Sequence, residues 1–273
     1  MDNVRPPDSY WRILYRQFWK NRVAVAGLVI VLGFFGVALS ADFLANDKPL
    51  IMKYGGQVYF PIVEDYFVRL GISAWPLEFR NVLFKEFAAE KFKPGDWAQF
   101  PPIRYSPTDV NLSEVLQRPS RQHLFGTDEV GRDIASLIIH GSRVSLSVGF
   151  VAVGIYVLIG LIIGATAGYY GGVSDILASR AIEIMMTIPT FFLVVTAVAF
   201  LPRTIFNIMV VIGLTGWPTV ARLIRGEFLK TKTLEYVVAA KAIGATDFRT
   251  IVRHILPNTL APVLVAATFG VAS

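Results

Sequence analysis

The chain has 273 residues, 54% of them hydrophobic and 17% charged, with a formal net charge of +6 and no cysteine. Soluble domains carry about 45–50% apolar and about 25% charged residues. Here the apolar excess is gathered into long uncharged runs, which excludes an ordinary soluble domain. The lack of cysteine excludes disulfide frameworks, thiolate metal sites and cysteine nucleophiles.

In chain order, uncharged runs cover residues 23–41, 144–174, 184–201, 204–221 and 255–273. A helix rising about 1.5 Å per residue needs about 20 apolar residues to cross a ~30 Å hydrocarbon core. In lipid the backbone must satisfy its own hydrogen bonds, so each run is predicted to be a transmembrane helix. The fold class is therefore all-α integral membrane, with five spans. Ala38-Leu39-Ser40 has the small residues of a signal-peptide cleavage site. The long charged lead and the length of the run favour a retained anchor instead.

Arg5, Arg12, Arg16, Lys20 and Arg22 precede the first span, against Asp2 and Asp8. The basic excess lies beside apolar runs, so it reads as topology and not as nucleic-acid binding. It places residues 1–22 in the cytoplasm as the N-terminal segment, ahead of a first span over 23–44. Alternation then puts 45–143 outside, the 175–183 link inside, the Pro202-Arg203 turn outside and the basic 222–253 segment inside. Residues 144–273 form the membrane core. The chain stops at Ser273 inside an apolar run, so a sixth span is expected beyond it.

The outer segment is punctuated by Gly55-Gly56, Pro61, Gly71, Pro76, Pro94-Gly95, Pro101-Pro102 and Pro107, and it is rich in aromatics. It reads as a soluble insertion of short elements, either a small core or a docking surface. Gly126-Thr127-Asp128 and Gly131-Arg132-Asp133 are turn and capping chemistry. A helix from about Glu129 carries Ile134, Leu137 and Ile138 along the membrane interface. Arg132, Asp133 and Arg143 are interfacial anchors or a structural ion pair. His123, His140 and His254 are far apart and read as structural, with no metal-ligand pattern. Gly160, Gly164 and Gly168 permit close helix approach, and Pro189 and Pro218 are candidate kinks.

Residues 234–243 predict a short helix, started by Thr231 or Thr233 and ended by Gly244. A second helix starts at Thr246-Asp247 and runs toward Pro257. Ala239 and Ala240 give the first helix a smooth face suited to a partner's groove. Ala239, Ala240, Gly244, Leu256 and Pro257 match the E-A-A-x-x-x-G, nine residues, I-x-L-P loop. Lys241 and Ala245 lie inside it, Val238 stands in place of the Glu, and His254 in place of the first Ile. Gly126, Thr127, Asp128, Gly131, Arg132 and Asp133, then Gly141 and Arg143, then Ala167-Gly-Tyr-Tyr-Gly-Gly172, follow a second pattern, G-T-D-x-x-G-R-D … G-x-R-x-S-L … A-G-Y-x-G-G. Ser136-Leu137 replaces its usual Ser-Arg.

On these motifs the chain resembles binding-protein-dependent importer permeases of the ATP-binding cassette superfamily. The likeness is to the C-type subunits of the dipeptide, oligopeptide and nickel group, and the stretch Ala45-Asn-Asp-Lys-Pro-Leu50, with the long insertion after it, looks most like its microcin C branch. The resemblance implies a type I importer transmembrane domain that forms half of a peptide translocation pathway. It implies a second, B-type permease, two ATPase subunits that hold ATP and magnesium, and an extracytoplasmic solute-binding protein, all at a lipid bilayer. No cofactor is expected in this chain. It contains no G-x-x-x-x-G-K-[ST] and no recognisable nucleophile motif, so ATP hydrolysis is expected in the partners. The alternatives are a permease for nickel or another small solute, or an ATP-independent secondary transporter.

Overall fold

A computed structural model describes residues 10–80 and 82–272. Asp2, Arg5, Asp8 and Ser273, and the side chain of Arg12, lie outside the described part. The chain forms two compact units divided between Val144 and Ser145.

The first unit begins with helix α1 (Tyr10–Lys20) and apolar helix α2 (Arg22–Leu39). Asn21 separates them because its Oδ1 accepts from the amides of Val23 and Ala24, at 3.1 and 3.2 Å, and so caps α2. Ser40 ends α2, its hydroxyl turned back onto the Gly36 carbonyl at 2.6 Å. A single turn, α3 (Ala41–Leu44), follows, so the run expected as one span to residue 44 breaks at Ser40.

The insertion holds a three-stranded antiparallel sheet, ordered β2-β1-β3, of β1 (Ile51–Tyr54), β2 (Gln57–Tyr59) and β3 (Trp97–Gln99). Met52 pairs with Tyr59 on one side and Ala98 on the other. The β1–β2 hairpin turns at Gly55 and Gly56, with φ of +59° and +84°, a two-residue turn that only residues tolerant of positive φ make cheaply. Helix α4 (Pro61–Arg69) follows β2, and helix α5 (Phe84–Lys91) packs Phe84 and Phe87 into the core of the sheet. Met52, Phe79 and Phe84 form its buried core, with Tyr54, Tyr59, Trp75, Phe87 and Phe100 packed around them. Most of the aromatic excess is thus a core, while Phe60 and Trp97 stay exposed.

Helix α6 (Ile134–Tyr170) has 37 residues, about 55 Å at the usual rise, well beyond a hydrocarbon core. The expected interfacial helix from Glu129 is corrected: Asp128 and Gly131 hold a turn there, and Asp133 starts the helix at Ile134. It then runs without a break into the apolar span. The helix ends at Tyr170, within the Ala167–Gly172 motif, because Gly171 and Gly172 take φ of +69° and +54°.

Residues 175–183, expected as a link, lie within helix α7 (Gly172–Thr187). Helix α8 (Thr190–Phe200) follows at 83° to it. The span expected over 184–201 is therefore a bent pair, broken at the candidate kink Pro189. Pro189 cannot donate an amide and biases Ile188 to extended backbone, which breaks the helix there. Helix α9 (Ile205–Thr231) continues ten residues past the expected end at 221 and carries Pro218 inside it. Helix α10 (Glu235–Ala242) is followed by α11 (Asp247–Arg249), a π-turn over Thr250–Ile255 and α12 (Leu256–Ala272). The second loop helix does not stop at Pro257 but merges with the last span. Pro257 falls directly after the π-turn, inside this continuous helical path. Among the described residues, four helices are long and apolar enough to cross a membrane, and the bent α7–α8 pair makes a fifth element.

In the second unit α6 and α9 pack through their glycines. A Cβ at Gly160 would sit 2.7 Å from that of Val220, and one at Gly168 2.6 Å from that of Phe228. A Cβ at Gly164 would meet the Ala221 carbonyl and Ile224. From the other side Gly213 and Gly216 receive Ile155 and Tyr156. Small residues at i, i+4 and i+8 let the two backbones approach closely, as apolar helices in lipid require when hydrophobic exclusion between them is weak.

Candidate functional site

The short helix α10 is the centre of the site. It has no side-chain cap: Leu234 occupies the cap position, Thr233 donates to the Lys230 carbonyl and Thr231 is buried. Neither expected threonine starts the helix. Its end is as expected. Gly244 takes φ +89°, its amide donates to the Lys241 carbonyl at 2.9 Å, and the Ala245 amide donates to the Ala240 carbonyl at 3.0 Å. This crossed pair is the Schellman stop. Thr246 then caps the next helix, its Oγ1 accepting from the Arg249 amide at 3.3 Å.

One face of α10 is buried and the other bare. Val237 and Ala240 point inward, and Val237 joins a core cluster with Tyr169, Val220, Ile224, Phe228, Ile255 and Val263. The cluster thus draws on α6, α9, the π-turn and α12 at once. Outward lie Ala239, Lys241 and Gly244, with Val238 56%, Phe248 76% and Ile243 88% exposed. Ala245 and Leu256 are half-buried and Pro257 is exposed. A shallow cavity of about 340 Å³ opens beside Ile243 and Gly244, walled by Arg249, Arg253 and His254.

Polar contacts tie this loop to the helices above. The Tyr169 hydroxyl donates to Asp247 at 2.5 Å, and Lys241 Nζ lies 4.4 Å from the Tyr169 ring centroid. Lys232 Nζ donates to the carbonyls of Gly168 and Tyr169 at 2.8 and 3.4 Å, placing a cation on the unsatisfied carboxyl end of α6. Arg225 holds Asp175 through two parallel hydrogen bonds, that from Nη2 being 2.8 Å long. Such a fork fixes direction as well as distance, here between α9 and the start of α7.

The Gly126–Asp133 motif builds a second, separate structure in the first unit. Gly126 and Gly131 have φ of +81° and +78°, and a Cβ on either would collide with the backbone carbonyls of Gln117 and Asn111. Asp128 accepts from the amides of Val130 and Arg132 and pairs with the Arg132 guanidinium at 2.7 Å. The two amides and that guanidinium hold its carboxyl below the usual range. Thr127 accepts from the Gln117 amide and donates to the Glu114 carbonyl. Asp133 is buried, caps α6 through the Ser136 amide, and lies 2.9 Å from Nδ1 of the buried His123. Gly141 lies two residues before Arg143 on α6. Arg143 reaches Asp42 at 2.8 Å and the Ala38 carbonyl at 2.9 Å, so it braces the end of α2. Tyr66 donates to the same Asp42 carboxylate. Burial pushes the Asp42 carboxyl up, but hydrogen bonds from Tyr66 and Arg143 outweigh it and hold the group low. Both arginines therefore find their carboxylates within this chain.

Lys232, Tyr169, Asp247 and the Arg225–Asp175 pair were not legible as site residues. They lie 50 to 78 positions from their partners. A signal existed for Asp175 and Arg225, charges at the margins of uncharged runs, but it names no partner.

The arrangement is that of a multi-pass membrane domain with a small helix seated beneath its spans. Residues 157–273 match the family model described as binding-protein-dependent transport system inner membrane component. Residues 9–59 match that of the N-terminal transmembrane domain of oligopeptide transport permease C. The chain is 31% identical over 258 residues to the inner membrane ABC transporter permease protein YejE of Escherichia coli, covering 93% of this chain and 75% of that protein. It is 32% identical over 270 residues to the dipeptide transport system permease protein DppC of Alkalihalophilus pseudofirmus, covering 97% and 70%. To the oligopeptide permease OppC of Haemophilus influenzae it is 39% identical over 172 residues, covering 63% and 55%. The chain belongs to the family of inner-membrane permease components of binding-protein-dependent ABC transport systems, and it is a multi-pass inner-membrane protein.

Proposed function

We propose that this chain forms half of the pathway of an ATP-driven peptide importer and takes its energy through α10. The observation that carries the coupling role is the two-faced seating of α10. Val237 is locked among the spans, while Val238, Ile243 and Phe248 stand bare for a partner. A short helix gripped by an ATPase from outside and by the span core from inside transmits movement, because packed cores switch between discrete arrangements more readily than they deform. Val238 offers an apolar contact where the family loop carries a carboxylate.

In this reading the N-terminus and α10 face the cytoplasm and the sheet-bearing insertion faces outward, as the basic flanks require. The peptide class is supported by the printed names of the dipeptide and oligopeptide relatives. One B-type permease, two ATPases and a solute-binding protein complete the machine, and ATP with magnesium is handled by the ATPases. Ala239, Ala240, Lys241, Gly244, Ala245, Leu256 and Pro257 form the coupling loop. Gly126, Thr127, Asp128, Gly131, Arg132, Asp133, Gly141 and Arg143 set the outer architecture that holds α2 and α6.

The test is Gly244→Trp in the reconstituted transporter. Among the described residues, none beyond its chain neighbours lies within 4 Å of a Cβ at Gly244, so the bulk meets the partner, while backbone strain at positive φ adds about 1 kcal/mol. Peptide uptake should fall at least tenfold while the complex still assembles and hydrolyses ATP. Undiminished uptake would remove α10 from the coupling role.

A further inference from the structure

Helix α4 carries its apolar stripe on the outside. Val63, Tyr66, Phe67 and Leu70 follow the i, i+3, i+4, i+7 spacing of one helical face, and all four are exposed. Leu70 and Ile72, at the end of the stripe, are 71% and 70% exposed. A surface helix in water turns such a stripe toward the core. Here the buried residues of α4 are Pro61 and Ile62, both in its first turn. Single exposed apolar side chains are ordinary, but a row of them at helical spacing marks a contact surface.

The charges of α4 are held off the stripe. Asp65 accepts from Lys48 Nζ and from Arg69 Nη2, each at 2.7 Å. The Ser73 hydroxyl donates to Glu64. Both carboxylates thus have donors within this unit. Gly71, with φ of +72°, stops the helix. Its amide donates to the Val68 carbonyl at 3.0 Å, and the Ile72 amide donates to the Phe67 carbonyl at 2.9 Å. This Schellman stop folds Ile72 back onto the last turn, beside Phe67.

Helix α2 sets the height of the stripe. The Tyr66 hydroxyl donates to Asp42, three residues past Leu39, where α2 ends. Arg143 pairs with the same carboxylate at 2.8 Å and bonds the Ala38 carbonyl, so the joint is braced from a third element. Helix α2 is long and apolar enough to cross a membrane, and Leu39 and Phe43 stand exposed at the joint. An apolar surface tied to the end of a span lies where hydrocarbon gives way to headgroups.

We propose that α4, with Ile72, is an interfacial anchor that lies in the headgroup layer of the bilayer with its stripe dipped into lipid. Tyr66 suits that level, its ring apolar and its hydroxyl polar. The exposed Arg69 has a stem long enough to keep its guanidinium among the headgroups. The tie to the end of a span selects lipid as the occupant over a protein partner. The inference needs only that α2 crosses the bilayer, and it stands apart from the coupling and peptide readings.

The test uses the lack of cysteine in this chain. Nitroxide labels are attached one at a time to Phe67→Cys, Leu70→Cys and, at an exposed position on α5, Glu90→Cys. The labelled chain is assembled with cysteine-free partner subunits in nanodiscs. Collision with oxygen, which partitions into lipid, and with a water-soluble nickel chelate gives the depth of each label. The Phe67 and Leu70 labels should lie about 5–10 Å below the headgroup boundary, and the Glu90 label in water. Stripe labels that meet the chelate as freely as the Glu90 label would overturn the proposal. Stripe labels immobilised and shielded from both reagents would show a protein partner on α4 and overturn it equally.

Discussion

Val237 is fully buried among Ile224, Phe228 and Ile255, so its two methyl groups connect α10 with α9 and the π-turn. Trimming it to alanine leaves a void, at a cost of about 1–3 kcal/mol for a core truncation of this size. Val237→Ala should lower coupling efficiency, read as peptide imported per ATP hydrolysed, while Val238→Ala on the bare face should leave stability unchanged. Asp42 supplies a pH-dependent contribution. Its folded-state carboxyl is held below the ordinary value, so the stabilisation is present above the usual aspartate range, near 3.9, and is lost as pH falls through the folded value. Asp42→Asn should lower the Tm at neutral pH by about 2–4 °C and flatten the acid limb of a thermal melt. An acid limb identical to that of the parent would exclude the Asp42–Tyr66–Arg143 network as its source. The sequence made Gly244 and Thr246 readable because glycine stops and threonine caps act within a few residues. It could not mark Val237, an ordinary valine in an apolar run, because burial there is decided by elements far away in the chain.

Helices α6 and α9 meet along a stripe of glycines, and the spacing of Gly160, Gly164 and Gly168 made that meeting legible beforehand. Its partner face, around Ala221 and Ile224, was not, since one apolar helix looks much like another until packed. Gly164→Leu would drive a side chain into the Ala221 carbonyl and Ile224. Overpacking of this kind costs about 1–3 kcal/mol or more. The variant should show a reduced yield of assembled complex and a lower Tm in detergent. Gly226 has nothing within 4 Å of its Cβ position, so Gly226→Ala should leave both unchanged. The errors at element scale have one origin. Apolar run length marks where lipid can be tolerated, not where a helix ends. Hence α9 runs on through charged Arg222 and Arg225, because Arg225 finds Asp175, and the 184–201 run breaks at Pro189 despite unbroken apolarity.

At the scale of the molecule, a sheet-bearing unit precedes a helical unit, with α6 passing from one to the other. Membrane class and the loop that carries α10 were readable because both rest on local composition and spacing. The aromatic core of the insertion was foreseen only as one of two options, since exposed docking aromatics and buried core aromatics have the same sequence signature.

The account stands most directly on where α10 lies. The chain has no cysteine, so Ile243→Cys introduces a single thiol at a highly exposed position on the bare face. In sealed cells a membrane-impermeant maleimide should leave it unlabelled. In inverted vesicles the reagent should label it, and the bound ATPase should protect it. Labelling from the outer face of sealed cells would contradict the account.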